Sequence, residues 1–252
     1  MRYLRGGLPT RVQCDNQDVT GKLRTGNRKK TGKGKEIMAQ KKVKLTIDGQ
    51  KVEAKPGDMI LWAALDSDIF IPNLCAIKEK EHPQTGCRLC FVEIEGRDKP
   101  VTACSEPVAE GMVVTTDSER IDRIRHTAFE LLMSNHNVDC ANCSKNKSCA
   151  LQDISAKLKF KLKSKRLPSI VRMLPIDDSH PLFTYDPNKC VLCGKCVWAC
   201  EKMGAGELQF AFRGIDTVIS TLGGVPLVDS ECKGCLDCVS VCPVGALVPH
   251  KT

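Results

Sequence analysis

Fifteen of the 16 cysteines in this 252-residue sequence fall into four groups, and one histidine beside them brings the candidate ligands to sixteen. The groups are Cys75, Cys87, Cys90 and Cys104; His136, Cys140, Cys143 and Cys149; Cys190, Cys193, Cys196 and Cys200; and Cys232, Cys235, Cys238 and Cys242. Thiolates in such strings bind zinc or iron–sulfur clusters, and sixteen ligands match four clusters of four. Cys14 is left over.

The most specific pattern is C-x2-C-x2-C-x3-C, which occurs twice with every cysteine offset by 42 residues. Three cysteines at this spacing wrap one cube-shaped cluster, and the fourth ligates the other. One 4Fe-4S set is therefore Cys190, Cys193, Cys196 and Cys242, and its pseudo-symmetric partner is Cys232, Cys235, Cys238 and Cys200. Pro243 follows Cys242, whereas Glu201 follows Cys200, so the usual proline is missing from one half. Zinc sites pair two C-x2-C units rather than strings of three.

The first group reads Cys75-x11-Cys87-x2-Cys90-x13-Cys104, with a longer first gap than the plant-type 2Fe-2S order. A hairpin and helix upstream, with Gly86 freeing the backbone to fold over the sulfurs, favour a 2Fe-2S site. The second group, His136-x3-Cys140-x2-Cys143-x5-Cys149, fits zinc or a cluster equally well by spacing. His136 stands apart from His82, His126, His180 and His250 because its three cysteines need a fourth ligand. A neutral imidazole in place of a thiolate makes a cluster less negative and by itself raises its potential.

These ligands need elements to position them. Val43, Leu45 and Ile47 alternate, turn at Asp48-Gly49 and resume with Val52 and Ala54, which predicts a hairpin. A short helix follows Asp58 with Ile60, Leu61, Ala64 and Leu65 inward. Asp117 or Ser118 caps a longer helix to about Asn135, with Ile121, Ile124, Ala128, Leu131 and Leu132 at helical spacing. The histidine group follows its end. Residues 157–166, KLKFKLKSKR, place lysines alternately with Leu158, Phe160 and Leu162, the pattern of a solvated edge or docking surface. Between the two cysteine runs, LQFAF and TVIST form a short hairpin or an extended linker.

Aromatic residues are only 4% of the chain, and no segment reads as a large apolar core, so bound metal is expected to supply much of the folding energy. The metal-free chain is expected to be largely unfolded. The formal charge of +8 is concentrated at the start: residues 1–40 carry a net +7. Residues 1–38 thus read as a basic, disordered extension rather than a nucleic-acid surface. No secretory stretch opens the chain and no run reaches a membrane span, which points to a reduced, cytoplasmic metalloprotein with no direct membrane insertion. Gly204-Ala-Gly206 lacks the third glycine of a dinucleotide fingerprint.

The order of all four groups resembles the four-cluster N-terminal region of FeFe hydrogenases and of some NAD-linked formate dehydrogenases. Its first half is similar to the start of the complex I large iron–sulfur subunit and to the small diaphorase subunit of NAD-reducing hydrogenases. The resemblance runs from about Lys42 to Val248 and is carried by PNLC, TGCRLCFVEIEG, HNVDCANCSKNKSCALQD and the paired runs ending CPVGAL. It implies an α+β chain of three pieces: a β-grasp 2Fe-2S ferredoxin domain (39–115), a small helical 4Fe-4S domain with linker (116–178), and a bacterial-type two-cluster 4Fe-4S ferredoxin domain (179–252). It also implies that His136 ligates a 4Fe-4S cluster, giving one 2Fe-2S and three 4Fe-4S clusters in all. With the chain ending at Thr252, the expectation is wiring without an active site of its own, in a hetero-oligomer. The partners expected are a flavin- and NAD(P)-binding iron–sulfur subunit and a further redox subunit, within a hydrogenase, formate dehydrogenase or electron-bifurcating complex of an anaerobe. The competing expectation is a zinc-stabilised nucleic-acid binding protein.

Overall fold

A computed structural model describes residues 42–250; the basic N-terminal extension and Cys14 lie outside the described residues. The alternating residues at its start form β1 (Val43–Ile47) and β2 (Gln50–Ala54), antiparallel with Ile47 opposite Gln50. Both turn residues have positive φ, 49° at Asp48 and 80° at Gly49, as a tight primed turn requires. The Asp48 carboxylate accepts from the Thr116 amide at 2.7 Å and its hydroxyl at 2.6 Å, tying this turn to the end of the sheet.

α1 (Ile60–Leu65), β3 (Phe91–Ile94), β4 (Val101–Thr102) and β5 (Val113–Thr115) complete a mixed sheet of order β2-β1-β5-β3-β4. β1 and β5 run parallel, and the other pairings are antiparallel. α1 buries Ile60, Leu61, Ala63 and Ala64 with Leu45, Ile47, Val92 and Val114. Leu65, expected inward, is half-buried at the helix end.

α2 (Glu119–Ser134) starts where Ser118 caps it, the hydroxyl accepting from the Ile121 amide at 3.2 Å. Its buried face differs from expectation. Ile121, Arg125, Phe129 and Met133 recur at every fourth position and are buried, whereas Leu131 is 57% exposed. Two apolar stripes overlap on this helix, and the true one was hidden because it contains an arginine.

α3 (Ala150–Leu158) follows the histidine group. Beyond it Lys159, Lys161, Lys163 and Lys165 are exposed, while Leu158, Phe160 and Leu162 turn inward. Phe160 lies 5.7 Å from the Phe129 ring centre. The lysines thus form the outer side of an edge packed on α2.

In the last region β6 (Phe183–Tyr185) pairs antiparallel with the final strand, so its two ends close on each other. Between them lie α4 (Lys195–Lys202), β7 (Leu208–Ala211), β8 (Val218–Thr221), α5 (Asp237–Ser240) and the final strand β9 (Leu247–Pro249). β7 and β8 pair antiparallel over four residues, so the insert between the cysteine runs is a hairpin. The 42-residue repeat extends to the backbone. Leu192 and Gly194 have φ of 53° and 73°, and their equivalents Gly234 and Leu236 have 65° and 64°. Left-handed residues at the same two places turn each loop, with leucine and glycine exchanged.

Buried side chains form two clusters, and thiols are part of both. Cys90 and Cys104 sit in the sheet core, while Cys75 and Cys87 join Phe129, Leu151, Phe183 and Leu247 in the larger one. Among the described residues no helix is long and apolar enough to cross a membrane.

Candidate metal centres

In the first group the sulfurs of Cys75 and Cys87 are 3.4 Å apart, and the Cys87 amide approaches Cys75 Sγ at 3.5 Å. Cys90 and Cys104 form a second interacting pair of thiols, and the charges of Cys75 and Cys87 act on Cys104. Two thiolates on one tetrahedral metal stand about 4 Å apart. Two facing pairs therefore fit two metal atoms side by side. Arg125 backs this loop, donating from Nε to the Leu89 carbonyl at 3.1 Å and from Nη2 to the Phe91 carbonyl at 2.8 Å. Its positive charge adjoins Cys90, although burial lowers the pKa of the guanidinium.

His136 lies just past α2 and is largely buried, and desolvation holds its pKa below the ordinary value. Nδ1 is 3.0 Å from the Lys189 carbonyl oxygen, which can only accept, so Nδ1 carries the proton. The Nε2 lone pair is then free for a metal, the usual arrangement for a ligating imidazole. His136, Cys140, Cys143 and Cys149 line one small cavity together with Gly245. A Cβ on Gly245 would collide with Cys143 Sγ. The Ala150 amide also donates to the Pro243 carbonyl at 2.9 Å.

The two repeats cross. The thiols acting on Cys190 are Cys193 and Cys242, and those acting on Cys238 are Cys232, Cys235 and Cys200. Cys196 adjoins Cys190, Cys193 and Cys242, and more weakly Cys238. The fourth cysteine of each run is thus near enough to act on thiols of the other run. Cys196 and Cys200 share α4, one turn apart along the same face.

The donor chemistry fits clusters. Burial pushes Cys190 up to about 12, Cys193 to about 11 and Cys238 to about 12, and it raises Cys149 as well. Thiols so desolvated ionise only beside a strong cation, and iron supplies that charge. Among the described residues no three His, Cys, Asp or Glu side chains converge closely enough to hold a single ion. The fifteen described cysteines carry no disulfide.

Three groups at these sites carry no residue-type signal of their own in the ligand spacing: Arg125, the Lys189 carbonyl and Gly245. Gly245 is visible only as the glycine of CPVGAL, three residues after a ligand.

Three family descriptions match the chain in order. Residues 40–119 match a 2Fe-2S iron–sulfur cluster binding domain, residues 125–162 an NADH-ubiquinone oxidoreductase-G iron–sulfur binding region, and residues 189–246 a 4Fe-4S dicluster domain. The chain is 40% identical over 207 residues to the NADPH-Fe(3+) oxidoreductase subunit alpha of Geobacter sulfurreducens, covering 82% of this chain and 24% of that protein. It is 34% identical over 221 residues to the NADP-reducing hydrogenase subunit HndD of Solidesulfovibrio fructosivorans, covering 82% and 36%. The chain therefore spans between about a quarter and a third of these curated relatives. A chain in the crystal structure of an NAD+-reducing [NiFe]-hydrogenase in the H2-reduced state superposes with a TM-score of 0.73 at 32% identity, covering 83% of this chain and 88% of that one.

Proposed function

The chain belongs to the iron–sulfur family shared by the G subunit of NADH-quinone oxidoreductase and the NADP- and NAD-reducing hydrogenases, and from that premise we propose that it is an electron-transfer subunit of a multi-subunit NAD(P)-linked oxidoreductase. It relays electrons between a flavin- and NAD(P)-binding iron–sulfur subunit and a second redox subunit. The whole is a hydrogenase, a formate dehydrogenase or a flavin-based bifurcating complex, working in the cytoplasm, where free thiols persist.

Cys75 and Cys87 hold one iron of a 2Fe-2S cluster and Cys90 and Cys104 the other, in a β-grasp domain. Three 4Fe-4S clusters are held by His136, Cys140, Cys143 and Cys149; by Cys190, Cys193, Cys196 and Cys242; and by Cys232, Cys235, Cys238 and Cys200. When bound, these groups supply one-electron redox chemistry at potentials that the protein tunes. Arg125 offsets the charge of the first site, and His136 presents a neutral donor at the second.

The observation that carries this reading is that the groups meet one another through ligand neighbours. The residue before Cys190 accepts from His136, the segment after Cys242 packs on Cys143, and Cys196 adjoins Cys238. A groove between α2 and the first run is lined by both Cys87 and Cys190. In this reading the Cys190 and Cys242 set is a junction that neighbours the other three, a layout suited to conduction.

The test is reduction of the anaerobically purified chain by NADH or NADPH, with and without its co-purifying flavoprotein. Reduction only in the presence of that flavoprotein is expected. Rapid reduction of the chain alone would overturn the proposed role.

A further inference from the structure

We propose that the Tyr185 hydroxyl donates a hydrogen bond to the sulfur of Cys190 and so raises the reduction potential of the junction site. The inference rests on the ligand set Cys190, Cys193, Cys196 and Cys242 given above.

Tyr185 OH is the buried side-chain oxygen or nitrogen among the described residues that has no hydrogen-bond partner. Burying a hydroxyl without a partner is unfavourable, so such a group requires a reason. The groups around it are the sulfurs of Cys190 and Cys196 and the backbone amide of Ile219; the amide can only donate, which leaves the hydroxyl proton for a sulfur. A phenol is a donor, and an iron-bound thiolate is an acceptor that strengthens as negative charge accumulates.

The backbone fixes this approach from both sides. The Tyr185 amide donates to the Asp177 carbonyl at 2.8 Å, and the Asp177 amide donates to the Tyr185 carbonyl at 2.9 Å. Tyr185 pairs with Leu247 across β6 and β9, and the next amide, Asp186, donates to Ala246 at 2.8 Å. Tyr185 and Ile219 both line two outer grooves, one shared with Pro187, Phe212 and Val218, the other with Leu208 and Leu227. The backbone that carries the ring is therefore fixed on both sides, and the hydroxyl at its end is buried.

Reduction adds negative charge that spreads over the sulfurs, so a donor there stabilises the reduced form more than the oxidised one. The effect falls at the site that neighbours the other three groups. Tyr185 is thus a positioning and tuning residue that governs how readily electrons rest at the junction.

The test uses the full chain, purified anaerobically and titrated potentiometrically with detection by electron paramagnetic resonance. Tyr185→Phe keeps the ring and removes the donor. Iron and sulfide contents should match the parent, and one 4Fe-4S midpoint should move to more negative potential. At a fixed potential its reduced-to-oxidised ratio should fall about fivefold, the equivalent of one hydrogen bond. The midpoints of the other three groups should hold. The chain has only 2 tyrosines, the other being Tyr3. Global replacement by 3-fluorotyrosine therefore strengthens this one donor within the fold and should move the same midpoint upward. Unchanged midpoints in both chains overturn the proposal, and should Tyr185→Phe lose iron, the fluorinated chain alone decides. A parent chain without a 4Fe-4S signal that responds to Cys190→Ser would instead refute the ligand assignment.

Discussion

The Nδ1 of His136 stands 3.0 Å from the carbonyl oxygen of Lys189, the residue that precedes Cys190. One hydrogen bond thus joins a ligand of one site to the peptide neighbour of a ligand of the next. It fixes the imidazole tautomer and leaves the Nε2 lone pair free on a ring that lines one cavity with Cys140, Cys143 and Cys149. His136→Cys replaces a neutral donor with a thiolate and deletes this bond. The account expects the cluster to assemble with a midpoint lowered on the order of 100 mV, judged from what histidine ligation does elsewhere. Redox titration checks it, and an unchanged midpoint would remove His136 from the ligand set.

The crossing of the two repeats makes an unusual demand on paired variants. Cys242→Ser should alter the same spectroscopic signal as Cys190→Ser, although 52 positions separate them. Cys200→Ser should share its target with Cys232→Ser. Anaerobic electron paramagnetic resonance of the four chains decides between crossed and uncrossed ligation. Signals that group by run, with Cys200 following Cys190, would reverse the assignment.

Gly245 supplies space rather than flexibility. Any Cβ there collides with Cys143 Sγ, and the flanking strand β9 and the Pro243 contact restrict escape. Gly245→Ala should loosen the His136 site, lowering its iron retention about 10- to 100-fold under chelator challenge, the scale of lost supporting contacts around a metal. The crossed pair of sites should keep its iron. Equal loss from all sites would point to general unfolding.

Acid should weaken the clamp between α2 and the lysine-rich edge. The hydroxyl of Ser164 and the guanidinium of Arg166 hold the Glu130 carboxyl below its ordinary 4.5. A depressed folded-state value contributes stability that is complete above the unfolded value and is lost as pH falls through the folded one. Glu130→Gln should therefore cost about 2 kcal/mol at pH 7, and the gap to the parent should close below pH 4.5. Denaturant midpoints of the two chains across that range measure it; a pH-independent gap would assign the cost to packing instead.

Much of this was legible in the cysteine spacing. The 42-residue offset anticipated both runs, and the structure repeats even their left-handed backbone positions at Leu192, Gly194, Gly234 and Leu236. The hairpin at Asp48-Gly49 and the Ser118 cap were equally plain, because both depend on local chemistry. Contacts between distant segments were not. Nothing in the helix pattern marks Arg125, which α2 packs onto the carbonyls of Leu89 and Phe91, while Leu131, which fits the helical spacing, is exposed. Tyr185 lies five residues before a ligand, and nothing in its spacing tells which way a strand side chain will point once β6 pairs with β9.

The central claim is that the chain carries clusters rather than single ions. Iron, acid-labile sulfide and zinc measured per chain after anaerobic purification test it most directly. The account predicts about fourteen irons and about fourteen sulfides per chain, from one 2Fe-2S and three 4Fe-4S sites, with zinc near zero. About four zinc ions with no labile sulfide, one for each ligand group, would contradict it.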